Sequence, residues 1–474
     1  MTTITRILGL FITVVCLSAA QGQTILSGNI SGTWSPSGNP YIISDNATVQ
    51  GGQTLTIQPG VIVWIGQGVS LTVYGGIQAI GTAAQHIVFQ APISSQFWNT
   101  ISVNNGLINQ FTYCDFANAT NAIEFASGGT SVSNDVSYCT FQDIYGGITM
   151  VVDQNNRTRN LTVQSCTFSN CFGTAISGVA FGYAANCSPG SSGTILSAIR
   201  NCSFSSVSNG CSFNVYGYSG CGWSGYGYGN VQLMNNIFNR ITNSAISLIA
   251  GNNAGSSPAL LMNNIIVNAS NGVVFQDPWD AKMQSSILVG CTNATTVSGS
   301  LSRSISYNDF YNNAINFTGY PSTYGTIILV NRNGTPCDLL YNIFSNPSFV
   351  SGNDFSLQPT SPCIDAGDGS AANYDSYFPP SQRTVINDIG AYGGPDAGGW
   401  IYAPPTTAFA LSIFPYVGVT INPPSAGHYK LDYASELTGI NNWIQITNTD
   451  LTGPFTYVEP MSNLQRYYRA VKLY

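Results

Sequence analysis

Phe111-Thr-Tyr-Cys-Asp-Phe116 returns as Val136-Ser-Tyr-Cys-Thr-Phe141, Val163-Gln-Ser-Cys-Thr-Phe168 and Ile199-Arg-Asn-Cys-Ser-Phe204. With Asn or Ser in place of Cys it continues as Leu233-Met-Asn-Asn-Ile-Phe238, Leu261-Met-Asn-Asn-Ile-Ile266, Met283-Gln-Ser-Ser-Ile-Leu288, Ile305-Ser-Tyr-Asn-Asp-Phe310 and Leu339-Leu-Tyr-Asn-Ile-Phe344. The fourth residue of each copy serves as reference: Cys114, Cys139, Cys166, Cys202, Asn236, Asn264, Ser286, Asn308 and Asn342, spaced 22 to 36 residues apart. Seven residues past it stand Asn121, Gly146, Gly173, Asn209, Asn243, Asn271 and Asn293. Gly and Asn take φ > 0 most readily, so a left-handed bend is expected there. An apolar position follows at Ile123, Ile148, Ile176, Cys211, Ile246 and Val274. Each unit reads as a short strand, a bend and a second short strand, with no 3.6-residue apolar period.

So short a unit cannot bury an apolar face alone. Stacked on its neighbours about 4.8 Å apart, it forms a parallel β-helix with one continuous core. Equivalent side chains then lie above one another, which predicts an aromatic stack of Phe116, Phe141, Phe168, Phe204 and Phe238. Cys114, Cys139, Cys166 and Cys202 become an inward column, with Cys171, Cys211 and Cys291 at other inward positions. The coil spacing is too long for an S–S bond of about 2.05 Å, so these seven thiols are expected as buried small hydrophobes. Cys187 and Cys221 fall in insertions of consecutive coils and form one candidate disulfide; Cys337 and Cys363, the remaining pair, form the other.

Composition narrows the classes further. Of 474 residues, 33 are charged, and 50 Gly and 46 Asn make up a fifth of the chain. With a net charge of −7 and no basic stripe, nucleic-acid binding by phosphate neutralisation is excluded. Three Lys and three Glu are far too few for a largely helical protein, while 44% hydrophobic residues suffice for a core. Residues 1–22 read as a signal peptide: Arg6, the apolar run Ile7 to Leu17, then Ala20-Gln21-Gly22. That run is too short to span a bilayer. A secreted, extracellular protein without a membrane span is the expectation.

Leu55-Thr-Ile-Gln-Pro-Gly60, Leu71 to Gly81 and His86-Ile-Val-Phe-Gln90 alternate as first coils should, and Asp354 to Gly367 with Asp388-Ile-Gly-Ala-Tyr392 resemble a closing segment. From about residue 45 to 395 the chain resembles bacterial secreted right-handed parallel β-helix proteins of the pectate-lyase-like superfamily. An all-β fold is expected: a right-handed parallel β-helix (solenoid) over 23–399, a linker over 400–407 around Pro404-Pro405, and a small antiparallel β-sandwich over 408–474. The fold does not dictate the activity.

That superfamily's lyases hold Ca²⁺ with carboxylates and use Lys or Arg as base, so the resemblance implies a candidate site at Asp277-Pro-Trp-Asp280. There Asp277 and Asp280 would be calcium ligands and Lys282 or Arg303 the base, acting on an acidic polysaccharide. A loop with a surface ion pair is the plainer reading. The Gly-His-Gly signature of the hydrolases is absent; the histidines are His86 and His428. Asp365, Asp368, Asp375 and Asp388 form the densest acidic run, suited to Ca²⁺ or to capping turns. Tyr216, Tyr218, Trp223, Tyr226 and Tyr228 lie among glycines, where exposed rings would stack on sugars or fold back on the coil. Scarcity of acids and bases favours a non-catalytic scaffold binding a glycan or cell surface, needing no cofactor, over the lyase-like alternative.

Overall fold

The computed structural model describes residues 23–104, 109–126, 132–153, 157–184, 190–220, 223–277, 279–299 and 304–400, and six strands of a terminal unit. Nearly all regular structure in the main unit, which runs to Trp400, is parallel β. Each coil supplies one strand to each of three faces, as in Asn109–Thr112, Cys114–Ala117 and Asn121–Phe125. Each strand pairs in register with its counterpart one coil on: Phe111 with Val136, Phe116 with Phe141, Ile123 with Ile148. The first face is an eleven-stranded ladder ending at Ser304–Ser306. Period-two alternation turns one side of every strand into the lumen, so the core is a continuous column. The parallel β-helix inferred from the repeat is the fold.

The aromatic stack is present and one coil longer. Phe89, Phe116, Phe141, Phe168, Phe204 and Phe238 lie nearly parallel, with ring centroids 4.5–5.0 Å apart. Beside it runs the reference column, which continues a single hydrogen-bonding device through a change of residue type. The N–H of Cys114 donates to Cys139 Sγ and that of Cys139 to Cys166 Sγ, both at 3.4 Å. From Cys202 onward amide oxygens take over, except that the N–H of Asn264 donates to Ser286 Oγ. The N–H of Cys202 donates to Asn236 Oδ1 (3.0 Å) and that of Asn236 to Asn264 Oδ1 (3.1 Å). The thiols and amides also donate backward, Cys139 Sγ to the Phe111 carbonyl and Asn236 Nδ2 to the Ile199 carbonyl. A thiol is a weak donor and acceptor, so Cys performs poorly what Asn performs well.

The seven inward cysteines are buried and free, as expected. Burial pushes the thiols of Cys139, Cys202 and Cys211 well above the usual range. Cys187 and Cys221 lie outside the described residues. The expected Cys337–Cys363 bridge does not form, and both thiols are free. Cys363 Sγ instead donates to Asp309 Oδ2 at 3.3 Å, and Cys337 bridges backbone to backbone with Ile343.

The bends are not where Gly and Asn cluster. Left-handed φ occurs one residue before the reference (Tyr113, Tyr138, Ser165, Asn201, Asn235, Asn263, Ser285, Tyr307, Tyr341) and four after it (Asn118, Asp143, Asn170, Ser206, Arg240, Asn268, Gly290, Asn312). Asn121, Gly146 and Asn209 begin third-face strands instead. Asn121 pairs with Gly146, but Asn209 pairs with Thr174 and Asn271, inside Ile265–Gln276, with Ser244, so the expected column slips by one residue at Gly173 and at Asn243. Their composition has other causes. Asn243 Nδ2 donates to Asn209 Oδ1 at 2.8 Å, building an outer amide ladder. At Gly173 a Cβ would come within 2.7 Å of the Tyr145 carbonyl. The inward position assigned to Val274 belongs to Val273, which pairs with Ile246.

After the last coil the chain turns back as a strap along the corner between first and second faces. Residues at the −1 bend fasten it coil by coil. Ser285 O accepts from Gly390 N; Asn263 Nδ2 donates to the Asp388 and Gly390 carbonyls; Asn235 Nδ2 donates to those of Ala391 and Gly393; Asn201 Nδ2 donates to that of Asp396. The strap covers Ile237, Ile265 and Ile287, forming a second apolar cluster with Phe355, Ile364 and Ile389.

The terminal unit runs from Ile401 to Tyr474. It contains two antiparallel three-stranded sheets: Ala410–Phe414, Gly418–Asn422 and Phe455–Tyr457, and Ile444–Leu451, Gly427–Ala434 and Tyr467–Lys472.

Candidate functional site

On the first face, outward side chains fall in two rows set by the reference. Four residues before it stand Thr162, Ala198, Gln232, Leu260, Lys282 and Ser304, paired coil to coil. Six before it stand Asn160, Leu196, Asn230, Pro258 and Asp280. Apolar and polar coils alternate along these rows, which leaves two dips. One, of about 280 Å³, lies over Leu196 and Ala198, between Asn160 with Thr162 and Asn230 with Gln232. The other, of about 360 Å³, lies over Pro258 and Leu260, between Asn230 with Gln232 and Asp280 with Lys282. Arg200 Nη2 donates to Gln232 Oε1 at 2.8 Å, which fixes the ridge amide and leaves its Nε2 to donate.

Asp280 and Lys282 are thus brought together, exposed and two residues apart on Trp279–Gln284. Asp277 is not among the residues lining either dip. Its N–H donates to the Ser298 carbonyl at 3.2 Å, at the end of the third face. Arg303 lies outside the described residues.

The corner between third and first faces carries the tyrosines. Tyr216 is half-buried, stacked on Phe181 with centroids 5.7 Å apart. Tyr218 meets Tyr183 and Tyr216 edge-on. Tyr218 and Tyr226 are 53% and 39% exposed, too open to be filling core. Tyr228 faces outward beside Thr194 on the first face, and its ring lies over Gly255 of the next coil, where a Cβ would collide with it. Close passage is also why glycines abound here: a Cβ at Gly217 would strike the Gly225 carbonyl. Ser219–Gly220 pairs antiparallel with Trp223–Ser224; the side chain of Trp223 lies outside the described set. Tyr216 and Tyr218, with Asn214, Ile249 and Asn252, line a third hollow of about 250 Å³.

The acidic run caps turns. Asp388 accepts from the N–H groups of Asp365 and Gln382, Asp375 from those of Gly394 and Asp388, and Asp368 from that of Ser370. Burial, with Asp388 as neighbour, pushes Asp375 up to about 8, and burial raises Asp388 to about 7. Asp309, fully buried where the strap begins, is pushed up to about 8. Among the described residues no group of three or more His, Cys, Asp or Glu is placed to hold a metal ion.

Sequence reading missed the neutral part of the trough: Asn160, Leu196, Asn230, Gln232, Pro258 and Leu260. Its signal is the fixed offset of four and six residues before the reference. No protein-family model matches the chain, and no curated protein matches it.

Proposed function

We propose that this is an exported, non-catalytic scaffold that binds a glycan along the first face of its solenoid. One observation carries the reading. The outward rows of that face form a trough of alternating apolar dips and amide or hydroxyl ridges, with exposed tyrosines at the neighbouring corner. Sugars present both an apolar ring face and a hydroxyl edge, and such a surface offers a partner for each. Residues 1–22 support export. The test is retention of the purified protein in gels containing soluble polysaccharides. Tyr218→Ala and Gln232→Ala should each weaken retention several-fold without moving the thermal midpoint. Unchanged mobility in every polysaccharide would refute the reading.

The charged end of the larger dip favours a second reading, a lyase acting on acidic polysaccharide with Lys282 as base and Asp280 beside it. It requires new absorbance from unsaturated products, lost in Lys282→Ala. Its absence across acidic polysaccharides, with and without Ca²⁺, would leave the binding reading alone.

A further inference from the structure

We infer that the trough takes a neutral, extended glycan whose sugar units are equatorially linked, lying along the solenoid axis with every second ring seated in a dip. The inference rests on the glycan-binding reading above and names the class of chain.

Three features of the trough lead there. The first is spacing. The dip floors Leu196–Ala198 and Pro258–Leu260 lie two coils apart, about 9.6 Å at one β spacing per coil. That is comparable with two hexose units of a fully extended chain. In such a chain successive rings turn over, so alternate units present the same face in the same direction. Two like dips separated by a ridge are complementary to that repeat, whereas axially linked chains coil and lose it.

The second is the chemistry of each dip. A pyranose with equatorial substituents has bare C–H faces and a rim of hydroxyls. The floors are aliphatic and take the face. The walls are amides and hydroxyls, with Asp280 and Lys282 at the far side of the larger dip, and take the rim. The ridge between the dips bears Asn230 and Gln232, and Arg200 acts as a positioning residue by occupying the Gln232 carbonyl oxygen.

The third is charge. Among the described residues, the only ionic side chains lining the two dips are Asp280 and Lys282, of opposite sign and two residues apart. A polymer with a carboxylate on every unit would need a cation at each step; both floors offer none, and Arg200 beside the central ridge is already engaged by Gln232 and by Asp396, 3.9 Å away.

The test is calorimetric titration of the full chain with β-1,4-linked gluco-, manno- and xylo-oligosaccharides of two to eight units, with polygalacturonate and amylose fragments as comparators. In at least one β-1,4 series, affinity should rise by roughly tenfold once the chain is long enough to fill both dips, and level off beyond. Leu260→Asp and Leu196→Asp should each remove that rise and leave short-chain binding by the other dip; both sites are on the outer surface, and an unchanged thermal midpoint checks the fold. Preference for polygalacturonate or amylose, or affinity independent of chain length, would overturn the inference while leaving glycan binding in place. No binding to any polysaccharide would overturn both.

Discussion

Asn264 shows how much one side chain can hold in a solenoid. It is buried, accepts from the Asn236 N–H at 3.1 Å and donates to the Leu233 carbonyl at 2.8 Å, and so ties its coil to both sides of the corner of the preceding one. Asn264→Ala orphans a buried N–H and a buried C=O, each costing about 1–3 kcal/mol. The thermal midpoint should fall well below that of Cys166→Ala, which removes only a weak donor and acceptor. At this scale the sequence was partly legible. The Cys-to-Asn succession stood out because the motif keeps it in register. The left-handed residues did not, because Tyr113, Tyr138 and Arg240 occupy a conformation that local preference assigns to Gly and Asn. Gly and Asn were instead recruited for close passage and amide ladders, needs visible only when coils are stacked.

The strap is the element with the most distinctive chemistry. Its turns close on Asp375 and Asp388, and its start on Asp309, three carboxyls that burial holds protonated to about pH 7–8. An unfolded Asp releases its proton near pH 3.9. Between those values the folded chain binds more protons than the unfolded one, so stability falls as pH rises. The contribution is complete below about pH 4 and gone above about pH 8. Unfolding midpoints measured from pH 4 to 9 should decline across this window, and Asp309→Asn should flatten part of the decline. A flat profile in the native protein would count against protonated carboxyls under the strap. The strap also left a trace in the sequence that went unread. The outward position after the reference is Asp115, Thr140, Thr167 and Ser203 in early coils, then Ile237, Ile265 and Ile287 where the strap lies. The Asp280–Lys282 end of the trough was legible because charge is rare in this chain; the neutral dips were not, because Leu, Ala, Asn and Gln carry no signal until their offset from the motif is known.

For the molecule as a whole, the core and its closure are built from segments far apart in sequence. The coils stack on their nearest neighbours, as in other solenoids. The apolar file of Ile237, Ile265 and Ile287 is covered largely by Phe355 to Tyr392, with Cys337, Ile343 and Trp400 in the same cluster. Truncation after residue 350 should therefore leave a solenoid with β-type far-ultraviolet dichroism but strong binding of a hydrophobic dye, and the intact chain should bind little. Equal dye binding by both would show that the file is not exposed by loss of the strap.

An N-terminus-first emergence, whether from the ribosome or through a translocation pore, gives that arrangement a schedule. Early coils can settle as they appear, but the isoleucine file stays wet until more than a hundred further residues have arrived. During that interval the half-made protein carries a greasy seam, and a holding chaperone would have its natural purchase there.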